Sequence, residues 1–180
     1  MSSMHAAARR SIGKAMHALD EHFVEALAIA SLVIISSMIA IHFATYQPER
    51  YTGFGVLNDR MEPGPFPANV TTSEVLDVYT NVLNREGKAM QYMVRVVVGS
   101  AYSTVDPVLG VVGGSSLVLQ RVEAIVLEGT DWEQKISLRF NDTMLGEKKI
   151  FFELWVLELA TASYKFTRQV LHVWMDVVKP

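Results

Sequence analysis

The sequence contains no cysteine. That absence removes disulfides, thiolate-ligated zinc, iron–sulfur clusters and blue-copper sites together. A domain placed outside the cell must then rest on packing alone, which a chain of 180 residues can supply. A basic excess is missing too: 16 Lys and Arg against 19 Asp and Glu leave a formal net charge of -3. Without a broad cationic surface to neutralise phosphates, nucleic acid is excluded as a partner. Histidine is scarce where chemistry would need it. His5, His17, His22 and His42 all precede Thr45, and only His172 follows it. This excludes a histidine-built metal site beyond the N-terminal region and the usual nucleophile–base arrangements of acyl transfer.

No glycine-rich loop leads from a strand into a helix, so no phosphate cradle is expected. The acids Asp131 with Glu133, and Glu153 with Glu158, read as solvated groups on strand faces, not as a glycosidase pair. Asp131, Glu133 and Asp142 lack the spacing of a calcium loop. Together these absences lead to the expectation of a chain that is not an enzyme and has no metal, no cofactor and no small-molecule substrate.

What is present begins with Ala26–Phe43, ALAIASLVIISSMIAIHF. This is an uncharged run of about 18 residues, at the lower limit for spanning a hydrocarbon core of ~30 Å. With its apolar flanks it predicts a transmembrane helix over 23–45, preceded by a cytoplasmic tail (1–22) and followed by an extracytoplasmic domain (46–180). The run exceeds a signal-peptide core, and His42-Phe43-Ala44-Thr45-Tyr46 is a poor cleavage site. Ala26, Ala30, Ser36 and Ala40 give small-xxx-small spacing, a candidate helix-packing face toward other membrane-protein subunits. Arg9, Arg10 and Lys14 precede the run and the first basic residue after it is Arg50, which places the N-terminus in the cytoplasm. Residues 4–21 read equally as an amphipathic surface helix or as a solvated tail.

Beyond the anchor the apolar pattern shifts to a period of two. Tyr92, Val94, Val96 and Val98 alternate with Gln91, Met93 and Arg95, and Ile136, Leu138 and Phe140 alternate with Lys135, Ser137 and Arg139. Similar alternation predicts strands at 51–57, 75–83, 90–99, 117–127, 133–140, 148–158 and 168–178, separated by turns such as Asn84–Lys88. About seven short strands with no intervening helix indicate an immunoglobulin-like antiparallel β-sandwich. Trp132, Trp155 and Trp174 are expected in or against it, with His172 outward beside Trp174. Glu62-Pro63-Gly64-Pro65-Phe66-Pro67 cannot be helical and reads as an extended bridge. The segment 100–116 is glycine-rich yet apolar. Val108, Leu109, Val111 and Val112 within it are candidates for either a lid on the sandwich or a partner contact. Asn69-Val70-Thr71 and Asn141-Asp142-Thr143 are N-glycosylation sequons, Asn69 and Asn141 both being placed in loops.

Tyr51–Leu57, Phe66–Thr71, Val82–Gly87, Trp132–Ile136, Lys149–Leu154 and Leu171–Val177 resemble the extracytoplasmic domain of an archaeal membrane-protein family of unknown function, domain of unknown function sixteen-sixteen. The resemblance spans residues 51–178. It implies an archaeal source and an outward-facing domain, and it carries over no catalytic residue. That family has several membrane helices where this sequence has one, and 100–116 is longer than its usual connection. Both departures point to a subunit of a larger membrane or cell-envelope assembly. The function expected is therefore a membrane-anchored interaction protein. The alternative is a pilin-like filament subunit, with Lys14-Ala15 as a processing site and Glu25 near the start of the apolar helix.

Overall fold

In the computed structural model, residues 2–46 and 49–180 are described, the side chains of residues 2–21 excepted. Arg9, Arg10, Lys14, His5 and His17 therefore lie outside the described side chains, as do Gln47 and Pro48 altogether. The chain divides into two units, Met1–Pro48 and Glu49–Pro180.

The first unit is one helix, α1 (Ser2–Thr45, 44 residues). The boundary expected at residue 22 is not a break in the backbone. Residues 2–45 hold no proline and a single glycine, Gly13, so nothing interrupts the hydrogen-bond ladder. Within it His22–Thr45, 24 residues, is long and apolar enough to cross a membrane. Every described side chain of that stretch is exposed. Ala26, Ala30, Ser36 and Ala40 fall within an arc of about 120° at 100° per residue, so they share one face. The hydroxyls of Ser37 and Thr45 donate to the carbonyls of Val33 and Ile41, each at 2.7 Å, which satisfies them within the helix.

The second unit is a β-sandwich. One sheet orders β1 (Tyr51–Leu57), β3 (Val75–Arg85) and β8 (Asp131–Arg139) as β1-β3-β8. The other orders β2 (Asn69–Thr71), β10 (Ser163–Val178), β9 (Gly146–Glu158), β4 (Met90–Gly99) and β7 (Leu117–Val126) as β2-β10-β9-β4-β7. A two-stranded hairpin, β5 (Thr104–Asp106) and β6 (Gly110–Val112), forms a third piece. All seven strands expected from alternation are present. The additions β2, β5 and β6 are three residues each, too short for a period of two to register. β2 also departs from the antiparallel scheme, pairing parallel with β10 through Val70↔Val177. β10 begins five residues earlier than expected, because a bulge between Phe166 and Val170, with Arg168 at φ 68, breaks its alternation.

The two sheets close on one core. Val56, Leu76, Val78, Val82, Ile136 and Leu138 from the first meet Tyr92, Val94, Val96, Ile150, Phe152 and Leu154 from the second. β3 is buried on one face only, alternating strictly along Leu76–Asn84, whereas β4 and β9 are buried on both.

One polar side chain ties the turns at the end where β1 starts. Asn84 is fully buried; its Nδ2 donates to the carbonyls of Lys88 and Val126, both at 2.8 Å, and its Oδ1 accepts from the Glu86 amide at 3.0 Å. Beside it the Tyr92 hydroxyl shares a hydrogen bond of 2.8 Å with Thr52, and burial pushes that phenol above its usual pKa. At the other end Asn58 holds the proline-rich bridge, accepting from the Arg60 and Glu62 amides and donating to Pro65. Replacing Asn84 by Ala strands the buried Val126 carbonyl and leaves the part-buried Lys88 carbonyl and Glu86 amide without this partner, and is expected to cost about 3 kcal/mol. Urea unfolding of the detergent-solubilised chain, followed by tryptophan fluorescence, measures that loss.

Candidate functional site

β9 sends Ile150, Phe152 and Leu154 into the core, as its alternation requires. The intervening Phe151, Glu153 and Trp155 point to the opposite face of the five-stranded sheet, and they are buried as well. Glu153 is 0% exposed, which corrects its reading as a solvated acid. Its cross-strand neighbour is Arg95 of β4. The Arg95 Nε donates to Glu153 Oε2, the Trp155 Nε1 donates to the same oxygen at 3.0 Å, and the Val111 amide donates to Oε1. The guanidinium also stacks 4.4 Å from the Trp155 ring centroid and donates through Nη2 to the Leu109 carbonyl at 2.9 Å. A carboxylate taken out of water is tolerable only with such complete pairing.

These bonds seat the β5–β6 hairpin on the sheet. The segment 100–116 is therefore an ordered hairpin folded over the outer face of the sandwich. Val111, 6% exposed, packs with Val97, Phe151 and Val170 and is unavailable to a partner; Val112 is half-buried. Val108 and Leu109, 69% and 62% exposed, project from the tip. The four candidate contact residues thus separate into a buried base and an exposed apex. Asp106 shapes that apex: its Oδ1 accepts from the Leu109 and Val108 amides at 2.8 Å each, and these bonds hold its carboxyl below the usual 3.8. Gly110 closes the turn at φ +77, where a Cβ would lie 2.7 Å from Arg95 Nη2 and against Glu153 Oε1. Only glycine satisfies both the backbone and the space.

The remaining sequence candidates fall elsewhere. Asp131, Glu133 and Glu158 are exposed. Trp132 packs on the main core, Trp155 belongs to the clamp, and Trp174 stays on the surface above Lys149. His172 faces outward across from Phe151; partial burial, with the nearby Lys149 ammonium, lowers its pKa and favours neutral imidazole. Asn69 lies in strand β2, not in a loop. Asn141 does sit in a loop, exposed, capping a short 3-10 turn; its Oδ1 accepts from the Thr143 amide at 3.1 Å and hydroxyl at 2.6 Å. Among the described residues no group of three or more His, Asp or Glu is placed to hold a metal ion.

The Glu153 clamp has a sequence signal that solvated-acid reasoning passed over. In Ile150–Val156 both alternating faces are apolar except for Glu153, and in Tyr92–Val98 the lone charge is Arg95. A strand apolar on both faces is covered on both faces, so its single charge is buried and needs a partner.

No protein-family model matches the chain, nor does any curated protein sequence. Among solved structures it is similar to a β-glucosidase from Listeria innocua in complex with glucose, at 12% identity and a TM-score of 0.45, covering 73% of this chain and 17% of that one. It is similar also to a CARDB domain from Pyrococcus furiosus in complex with di-metal ions, at 13% identity and a TM-score of 0.45, covering 74% and 100%. A β-glucosidase from Bifidobacterium adolescentis matches at 15% identity and a TM-score of 0.36, covering 70% and 17%. The expectation that this chain is not an enzyme is contradicted by these matches, which include β-glucosidases. The glucose and the metal ions belong to those proteins, and at these TM-scores the likeness assigns no residue here a role.

Two outcomes check the clamp. Glu153→Leu leaves Arg95 without its anion and is expected to destabilise the chain by about 3 kcal/mol, whereas Arg95→Met combined with Glu153→Leu recovers at least half of that, because an apolar pair has no charge left unpaired. Urea unfolding of the solubilised chain separates the two. For the apex, a carboxyl held below its usual value contributes order that is present above that value and lost as pH falls through the folded one. Amide-exchange protection at Val108 and Leu109 is expected to be constant from about pH 7 to 5 and to fall below about pH 4.

Proposed function

We propose that this chain is a single-pass, membrane-anchored interaction protein, with its N-terminus cytoplasmic and its sandwich outside, acting as an accessory or structural subunit of a larger membrane or cell-envelope assembly. The observation that carries this reading is the clamped hairpin. Its base is locked to the sheet by Glu153 and Arg95, and its apex offers Val108 and Leu109 to solvent. An exposed apolar apex on a rigid base suits partner binding, because little conformational entropy remains to be lost on contact. The apolar stretch His22–Thr45 supports the anchor, and the basic residues before it support the orientation. The resemblance to the archaeal family over residues 51–178 is in keeping with an outward domain. The shared face of Ala26, Ala30, Ser36 and Ala40 offers a second contact, with helices of the same assembly.

A filament-subunit reading draws on the unbroken helix from Ser2 to Thr45. Mass spectrometry of the chain from its native membrane separates the two readings, since a filament subunit would be cut near Lys14.

Val108→Ser with Leu109→Ser is expected to weaken retention of co-purifying subunits by on the order of tenfold, the scale of one interface anchor, with no change in the unfolding midpoint. Retention equal to that of the unaltered chain, compared quantitatively after mild detergent extraction, would remove the hairpin from the interface.

A further inference from the structure

Two of the turns at one end of the sandwich carry an exposed leucine. That end is defined by the start of β1, since Tyr51 pairs with Arg85, Leu83 with Asp131, Met90 with Val126 and Ser163 with Glu158. It therefore gathers the β3–β4, β7–β8 and β9–β10 turns. Surface turns ordinarily carry Gly, Asn, Asp, Ser or Pro. Here the β9–β10 turn reads Leu159-Ala160-Thr161-Ala162, with Leu159 84% exposed, and the β7–β8 turn begins at Leu127, 61% exposed. Next to them Ile125 is also exposed, and a cleft of about 590 Å³ runs between Ile125, Met90, Leu157 and Leu159.

Charge at this end is arranged around the apolar group. Lys88 and Lys165 line the same cleft, are exposed, and form no ion pair among the described residues. Three of the acids accept hydrogen bonds from neighbouring groups: Glu86 from Thr52 at 2.7 Å, Glu128 from the Gly87 amide at 2.6 Å, and Glu158, which lines the cleft with the lysines, from Thr161 at 3.1 Å. Glu49, Glu128, Asp131 and Glu158 are exposed as well. Tyr51, also exposed, adds an aromatic ring with a polar tip. Apolar turn tips with adjacent lysines and a tyrosine match the bilayer interface, where leucine enters the acyl boundary and ammonium groups meet phosphates.

The end where β1 starts is the one that follows the apolar helix directly in sequence. Residues 46–50 join the end of α1 at Thr45 to the start of β1. Extended at ~3.5 Å per residue, they span roughly 20 Å at most. We propose that this end of the sandwich is a second membrane contact, with Leu127 and Leu159 seated in the headgroup–acyl boundary and Lys88 and Lys165 against lipid phosphates. The proposal rests on the reading of His22–Thr45 as a membrane span with the sandwich following it outside. The occupant is the lipid surface itself.

The chain has no cysteine, so single labels can be placed without removing any native residue of that type. The full chain is reconstituted in vesicles of phosphatidylcholine and phosphatidylglycerol that carry nitroxide-labelled lipid. An environment-sensitive fluorophore is attached in turn through Leu159→Cys, Ala160→Cys, Ile34→Cys within the apolar helix, and Asn141→Cys at the opposite end of the sandwich. Ala160→Cys leaves both leucines in place and reports even if Leu159→Cys misfolds. Labels at 159 and 160 are expected to be quenched at least about twofold more than the label at 141, with 34 also strongly quenched. Quenching at 34 but no more at 159 and 160 than at 141 overturns the lipid contact alone and leaves the patch to a protein partner. Loss of quenching at 34 overturns the membrane span, and the proposal with it.

Discussion

The outer layer of this sandwich depends on one buried carboxylate. Glu153 sits in the middle of a strand that is apolar on both faces, where an unpaired charge would cost several kcal/mol. Its neighbours each answer part of that demand. Arg95 brings the cation from the adjacent strand, Trp155 an indole N–H from two residues along, and Val111 a backbone amide from a hairpin otherwise remote in sequence. The last bond is the one with consequences for shape. It draws β6 down onto the sheet, forces Gly110 into a conformation only glycine holds easily, and buries Val111 while leaving Val108 and Leu109 at the surface. A buried pair of this kind is weak evidence for net stability, since an apolar replacement of both members often serves as well. Its effect here is positional: a carboxylate satisfied by a particular amide selects one seating of the hairpin over the many that an apolar contact alone would allow.

The two sheets divide the work. The three-stranded sheet is buried on one face, so β3 alternates strictly and its other face meets water. The five-stranded sheet is covered on its inner face by the core and on its outer face by the hairpin and the Met93, Trp155 and Phe166 cluster. At the end where β1 starts, Asn84 replaces apolar packing with hydrogen bonds that bind two turns together. That same end carries Leu127 and Leu159 on its tips, so a rigid polar base supports an apolar rim, as the hairpin does on the outer face.

Legibility in the sequence followed the range of the interaction. The seven long strands were readable because alternation is local: Tyr92, Val94 and Val96 share a face by backbone geometry alone. The short strands β2, β5 and β6 were not, since three residues carry no period and their pairing depends on partners such as Val177 for Val70. Glu153 was misread for a related reason. An acid on a strand is usually solvated, and only the apolar character of its flanking residues on both faces argued otherwise. The chain as an enzyme or otherwise was not legible at all, because a catalytic constellation is assembled from residues far apart in sequence.

By itself the sequence determined the apolar stretch within Ser2–Thr45, the absence of thiol chemistry, and the places where the chain runs extended. These follow from composition and from periods of a few residues. The tertiary structure alone decided that Arg95 stands opposite Glu153, that Val111 is buried while Leu109 is not, and that Leu127 and Leu159 occupy one end of the sandwich. Each depends on strand order and register, which are set by contacts between residues tens of positions apart, and local patterning carries no record of them.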